Sequence, residues 1–144
     1  MKYGIVSGYW NPIHKGHIDY IESAKQNCDF LFCITNNDKQ VEVKQSKKFM
    51  NENERERIVS CLKFVDQSVL SVDTGISVAE TLEVVAKIIH KKDDSNKEIY
   101  FFNSGDRDTS TYNSEEMFVC KKYNIKTQYL DMPKVNSSSW LLNK

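Results

Sequence analysis

Two histidines near the start of the chain have the spacing and surroundings to bind an anion. His14 and His17 lie in a stretch, residues 7–17, that follows an apolar run and precedes an amphipathic one. This order predicts a strand, a tight loop and a helix. Gly8 lets the backbone turn sharply or approach a ligand. Gly16 stands near the first helical turn, where N–H groups without helical partners and the helix dipole favour phosphate.

From these residues alone, the alternative is an N-capped helix with two incidental surface histidines. The chain contains three histidines, so two of the three fall in this loop. The third, His90, ends a different amphipathic run, where a surface role at a helix end is favoured. The pattern therefore favours a phosphate-binding loop without specifying which anion it binds.

Composition limits the classes of function. The 144 residues predict one domain, residues 1–144. Twenty basic and twenty acidic residues give a net charge of zero, which does not favour broad electrostatic binding of nucleic acid. No apolar run approaches the roughly 20 residues of a membrane span, and no signal-peptide pattern opens the chain. The cysteines lack metal or redox spacing, so reduced thiols in a cytoplasmic protein are expected: Cys28, Cys33, Cys61 and Cys120.

Strands and helices alternate along the chain. Apolar runs predict strands at residues 2–7, 29–35 and 98–102, and shorter strands are predicted at 67–72 and 125–130. Helical spacing of apolar residues predicts helices at 18–25 and 52–63 and a long helix capped by Ser77. A short helix at 115–122 and a serine-capped helical turn near 137–142 are also predicted. The polar residues 37–50 are predicted to be loop. The alternation predicts an α/β fold, Rossmann-like and three-layered, with a five-stranded parallel sheet.

Ligands of such sheets bind beyond the carboxyl ends of the strands. Three segments follow strand ends and could converge there, at residues 8–17, 103–107 and 134–139. Gly105 permits close approach to a base or ribose, and Asp106 can accept a ribose hydroxyl or help to hold a metal. An ordinary turn is the alternative for this pair. The lysine-rich residues 37–50 are either a cationic lid over phosphates or a solvated loop.

The stretch from Gly8 to His17 resembles the signature loop of the cytidylyltransferase-like nucleotidyltransferases, whose pattern is Gly, an aromatic, an acid, then His-x-Gly-His. The resemblance extends over the whole chain. A lysine precedes a helix start with Asn51 and Arg55, a Gly-Asp pair follows a buried strand, and a lysine precedes a run of serines. Arg55 could serve the site or only pair with Glu52 or Glu56.

The resemblance implies that an acceptor phosphate attacks the α-phosphorus of a nucleoside triphosphate and that pyrophosphate leaves. It implies catalytic roles for His14, His17 and Lys47, with Lys44 and Lys48 as alternatives for the lid lysine. It implies Mg²⁺ with the triphosphate, and Asp106 as the candidate protein ligand. The implied nucleotide-binding residues are Gly8, Tyr9, Trp10, Gly16, Gly105, Asp106, Arg107, Lys134, Ser137, Ser138 and Ser139.

Two departures from the family pattern leave the substrates open. Asn11 stands where many members have an acid that could help to hold the metal, and Arg107 departs from the cytidylyltransferases for glycerol phosphate. CTP with glycerol 3-phosphate is the first expectation. ATP with a sugar phosphate such as heptose 1-phosphate, and a non-catalytic nucleotide-binding module, are the alternatives. Family members often pair as dimers, so the resemblance also allows a homodimer.

Overall fold

The computed structural model describes residues 1–104 and 113–130. Five strands form one parallel sheet: β1 (Lys2–Gly8), β2 (Phe30–Thr35), β3 (Gln67–Leu70), β4 (Glu98–Ser104) and β5 (Ile125–Leu130). Five helices accompany them: α1 (Lys15–Gln26), α2 (Asp38–Val43), α3 (Glu52–Ser60), α4 (Ala79–His90) and α5 (Ser114–Lys122). The predicted α/β fold with a five-stranded parallel sheet is confirmed.

The apolar strands are explained by helices on both faces of the sheet. On one face, Ile5 and Phe32 pack in a cluster with Leu82 of α4 and Val119 of α5. On the other, Val6, Leu31 and Phe102 pack with Ile21 of α1 and Val59 of α3. Because successive strand residues point to opposite faces, a strand covered twice is apolar at almost every position. The predicted three layers follow from this arrangement.

The strand order places the first loop at the centre of one sheet edge. The order is β3-β2-β1-β4-β5, so β1 pairs with β2 on one side and with β4 on the other. The chain therefore reverses its direction of winding beside β1. Ligands of doubly wound sheets bind at this kind of switch point, beyond the carboxyl ends of the strands. The residues that follow Gly8 occupy that position.

Two expectations about the helices are wrong in detail. Residues 37–50 are not all loop, because α2 occupies Asp38–Val43. Its N-terminus is capped by a capping box between Asn37 and Gln40. Ser77 is not the N-cap residue of α4, which is Val78, although its hydroxyl accepts the Ala79 N–H at 3.4 Å. The carboxylate of Asp73 accepts the next two N–H groups, those of Glu80 and Thr81. The helix predicted near 137–142 lies outside the described residues.

Within residues 1–104 and 113–130, no helix has the length and apolar character needed to span a membrane.

Candidate active site

The loop after β1 packs over the side chain of one of its own residues, Trp10. Trp10 has a positive φ of 51° and is 2% exposed. A Cβ on Gly8 would lie 2.5 Å from the Trp10 ring, so glycine is required there by the tryptophan. The indole also meets His17 edge to face, with ring centroids 5.2 Å apart. Trp10 thus supports the loop from beneath and is not placed on its surface, where a base would stack.

His14 and His17 bind each other's backbone in a capping box at the start of α1. The Nδ1 atom of His14 accepts the Gly16 N–H at 3.0 Å, and the Nδ1 atom of His17 accepts the His14 N–H at 3.2 Å. The two rings stack with centroids 3.8 Å apart. Because both Nδ1 atoms accept, a neutral ring at either position carries its proton on Nε2. The cap therefore leaves two parallel imidazoles whose Nε2–H groups are donors.

Both rings are held in the neutral state. Burial lowers the pKa of His14. For His17, burial together with the charges of His14 and Lys44 lowers the pKa to about 4. Neutral rings can stack without repulsion. They suit hydrogen-bond donation to phosphate oxygens, and the His17 ring, with a pKa of about 4, stays neutral near pH 7.

The backbone N–H of Gly16 is already used. The sequence predicted a free N–H at this residue for an anion, but the group donates to His14 Nδ1. The N–H groups of His17 and Ile18 donate to the His14 carbonyl oxygen. The imidazole Nε2 atoms, rather than these three N–H groups, are therefore the donors that face a ligand at this helix start.

The three candidate lysines of the lid have different surroundings. The Nζ atom of Lys44 lies 4.2 Å from the centroid of the Tyr9 ring, and its charge is one that lowers the His17 pKa. Lys47 lies over the Phe49 ring at 5.3 Å. Lys48 pairs with the Asp38 carboxylate at 3.6 Å. Of the three, Lys44 is the one that the structure couples electrostatically to the histidine pair.

Arg55 is a buried link between three segments. Its side chain has no exposed surface, and it pairs with neither Glu52 nor Glu56, the partners that the sequence offered. Its guanidinium donates to the carbonyl oxygens of Tyr9 (2.7 Å), Asn36 (2.6 Å) and Met50 (3.0 Å). A fourth bond, 2.8 Å long, goes to the carboxylate of Asp38. Arg55 thus ties the first loop to the end of β2 and to the start of α3.

The described residues do not contain a cluster of three or more potential metal-ligand side chains. No three His, Cys, Asp or Glu side chains come together in residues 1–104 and 113–130. Asn11, at the position of the family's acid, uses its amide in bonds to residues 47–50. The remaining predicted site residues lie outside the described part of the chain: Gly105, Asp106, Arg107, Lys134, Ser137, Ser138 and Ser139.

Residues 5–139 match the cytidylyltransferase-like family, and the chain belongs to that family. Its similarity to individual proteins is partial. It is 37% identical to an FAD synthase of Ferroglobus placidus over 76 residues, 53% of this chain and 49% of that protein. It is 34% identical to the bifunctional protein HldE of Campylobacter fetus over 80 residues, 54% of this chain and 18% of that protein.

The match spans about half the length of the FAD synthases that resemble the chain. Among solved structures, a lipopolysaccharide core biosynthesis protein from Thermoplasma volcanium superposes with a TM-score of 0.64. That superposition covers 92% of this chain and 98% of the other, at 20% identity. At this identity, the likeness shows the fold.

Proposed function

We propose that the chain transfers a nucleotidyl group from a nucleoside triphosphate to the phosphate of a small acceptor. The observation that carries this proposal is the stacked, neutral histidine pair at the switch point of the sheet. Two Nε2–H donors fixed by a helix cap suit the oxygens of a polyphosphate. Membership of the cytidylyltransferase-like family supports the same reaction class.

The reaction needs little from the protein beyond positioning and charge stabilisation. An acceptor phosphate oxygen attacks the α-phosphorus, a new P–O bond forms, and the bond to the β-phosphate oxygen breaks to release pyrophosphate. The acceptor is already an anion, so no general base is required. His14 and His17 donate to non-bridging oxygens, and Lys44 or Lys47 offsets the charge that develops there. Mg²⁺ is proposed to enter with the triphosphate.

For the contacts to the nucleoside and to pyrophosphate, the proposal follows the resemblance to the cytidylyltransferase-like family. We propose that Tyr9 and Gly8 border the nucleoside together with Gly105, Asp106 and Arg107. Lys134 and the serines from Ser137 to Ser139 are proposed to hold the departing pyrophosphate. Trp10 and Gly16 contribute indirectly, since Trp10 supports the ring of His17 and the N–H of Gly16 orients that of His14.

The proposed donor is ATP, with CTP as the second candidate. The relatives named FAD synthase support ATP, because FAD consists of FMN joined to an adenylyl group. CTP with glycerol 3-phosphate, the first expectation from the sequence, keeps the support of the family's overall pattern. FMN, glycerol 3-phosphate and a sugar 1-phosphate are therefore the acceptors to compare.

The test is pyrophosphate release by His17→Ala, measured with each ribonucleoside triphosphate and each of the three acceptors. Alanine removes the Nε2–H donor, whereas the amide of a glutamine would still supply an N–H there. We expect release to fall by about 100-fold, the scale of losing one preorganised donor. His90→Ala, which changes the histidine outside this loop, is the matched control and should leave release unchanged.

Two results would oppose the proposal. Full activity of His17→Ala would show that the histidine has no part in the reaction. Tight triphosphate binding by the wild type without release, whichever acceptor is supplied, would favour a non-catalytic nucleotide-binding module. A melting temperature of His17→Ala well above the assay temperature would show that lost release reflects the donor and not the fold.

A further inference from the structure

Asn11 joins the first loop to a segment far along the chain. Its Nδ2 atom donates to the Lys47 carbonyl oxygen at 2.7 Å. Its Oδ1 atom accepts the N–H of Phe49 at 2.9 Å and the N–H of Met50 at 3.4 Å. One carboxamide therefore satisfies three backbone groups of the lysine loop, residues 44–50.

The chemistry of these three bonds requires an amide. A carbonyl oxygen needs a donor and an N–H needs an acceptor, and a carboxamide supplies both from one planar group. An aspartate at this position has acceptors only. One of its carboxylate oxygens would then lie where Asn11 Nδ2 now donates to the Lys47 carbonyl oxygen, and the two oxygens would repel each other. Asn11 is thus suited to a role that the acid of other family members could not perform here.

The bonds from Asn11 act on an exposed segment. Residues 43–49 are all exposed, and Phe49 is 60% exposed. The far end of the loop is held by Arg55, which donates from Nε to the Met50 carbonyl oxygen. Arg55 also donates to the carbonyl oxygen of Tyr9. Asn11 and Arg55 therefore both connect the lysine loop to the loop that carries the histidines.

We propose that Asn11 is a positioning residue whose carboxamide holds the lysine loop against the histidine pair, and that it is not a weakened metal ligand. The catalytic consequence rests on the proposed function. The attachment of the lysine loop by Asn11, called the clamp below, does not rest on the proposed function, because it is a property of the chain without substrate. The two claims can therefore be tested by separate measurements on the same variants.

Limited trypsin digestion tests the clamp, since trypsin cleaves after Lys44, Lys47 and Lys48. Asn11→Ala and Asn11→Asp both lose the bond to the Lys47 carbonyl. We expect cleavage within residues 44–48 to become about tenfold faster in both, because local opening governs access of the protease. Asn53→Asp, an exposed asparagine in α3, adds the same charge nearby and should be cleaved at the wild-type rate. Unchanged cleavage in Asn11→Ala and Asn11→Asp would overturn the clamp.

Turnover as a function of Mg²⁺ concentration tests the role in transfer. A misplaced lysine loop lowers kcat in both Asn11 variants by about tenfold or more, and leaves the Mg²⁺ concentration for half-maximal rate unchanged. If Asn11 occupied a metal-ligand position, Asn11→Asp would instead lower that concentration and keep or raise kcat, which would overturn the proposal. Wild-type protein without turnover on any triphosphate would refute the proposed function and the catalytic part of this inference, while the cleavage rates would still decide the clamp.

Discussion

At the scale of the residue, the central feature is the charge state of the histidine pair. Two imidazoles with centroids 3.8 Å apart could not both be protonated without strong repulsion. Their Nδ1 atoms are occupied as acceptors of backbone N–H groups, so protonating either ring breaks a capping bond. Neutral donors at a helix start also attract phosphate without depending on pH in the physiological range. The capping box of α1 thus also forms the proposed phosphate site.

This charge state predicts how stability depends on pH. The pKa of His17 is about 4 in the native state and near 6.5 when unfolded. Between those values the unfolded chain binds more protons, so the free energy of unfolding falls as the pH drops from about 6.5 to 4. His17 contributes a slope of at most about 1.4 kcal/mol per pH unit in that window. Urea denaturation of wild type and His17→Gln at several pH values measures it.

The difference in the free energy of unfolding between the wild type and His17→Gln should change with pH below pH 6.5 and stay constant above it. His90→Gln serves as the control because it changes an exposed histidine at the end of α4, and its curve should run parallel to the wild type. Parallel curves for His17→Gln as well would show that His17 titrates normally and would contradict the buried, neutral ring.

At the scale of the element, Arg55 connects α3 to the loops around the site. Arg55→Met removes four donated bonds and leaves three carbonyl oxygens and the Asp38 carboxylate without this partner. We expect the free energy of unfolding to fall by about 3 kcal/mol, as for other buried charged groups that lose one member of the pair. Equilibrium urea denaturation checks this loss.

Arg57→Met in the same helix is the matched control, because Arg57 is exposed. Its effect should remain within about 0.5 kcal/mol, as is usual for surface positions. If the two arginine variants were equally stable, the buried bonds of Arg55 would contribute nothing net to the native state.

The sequence predicted those elements whose signals are local. Strands β1, β2 and β4 were found because buried parallel strands are continuous apolar runs, and helices α1, α3 and α4 because the spacing of their apolar residues is helical. Helix α2 was missed, since its six residues contain few apolar side chains and its cap looks like ordinary polar loop. The candidate site residues His14 and His17 were predicted from a motif. The clamp of Asn11 and the contacts of Arg55 could not be predicted, because their partners are brought close only by the tertiary fold.

At the scale of the whole molecule, the fold brings two segments to the same edge of the sheet. They are the loop after β1 that carries His14 and His17, called the histidine loop, and the lysine loop. The histidines follow β1, and the lysine loop follows α2, which begins just beyond the end of the neighbouring strand β2. We propose that a polyphosphate contacts both segments, because the charge of Lys44 acts on His17, and that a monophosphate at the histidines makes fewer of these contacts. Nucleotide binding is therefore expected to depend on the number of phosphates.

That dependence predicts a series of melting temperatures. A ligand that binds only the native state, present at 100 times its Kd, adds about 2.7 kcal/mol of stability. For a chain of this size, that corresponds to a rise of about 8 °C. We expect ATP to raise the melting temperature more than ADP, and AMP to raise it least. A larger rise with CTP than with ATP would reverse the choice of donor, and equal rises with ATP and AMP would show that the phosphates do not bind where the histidine and lysine loops meet.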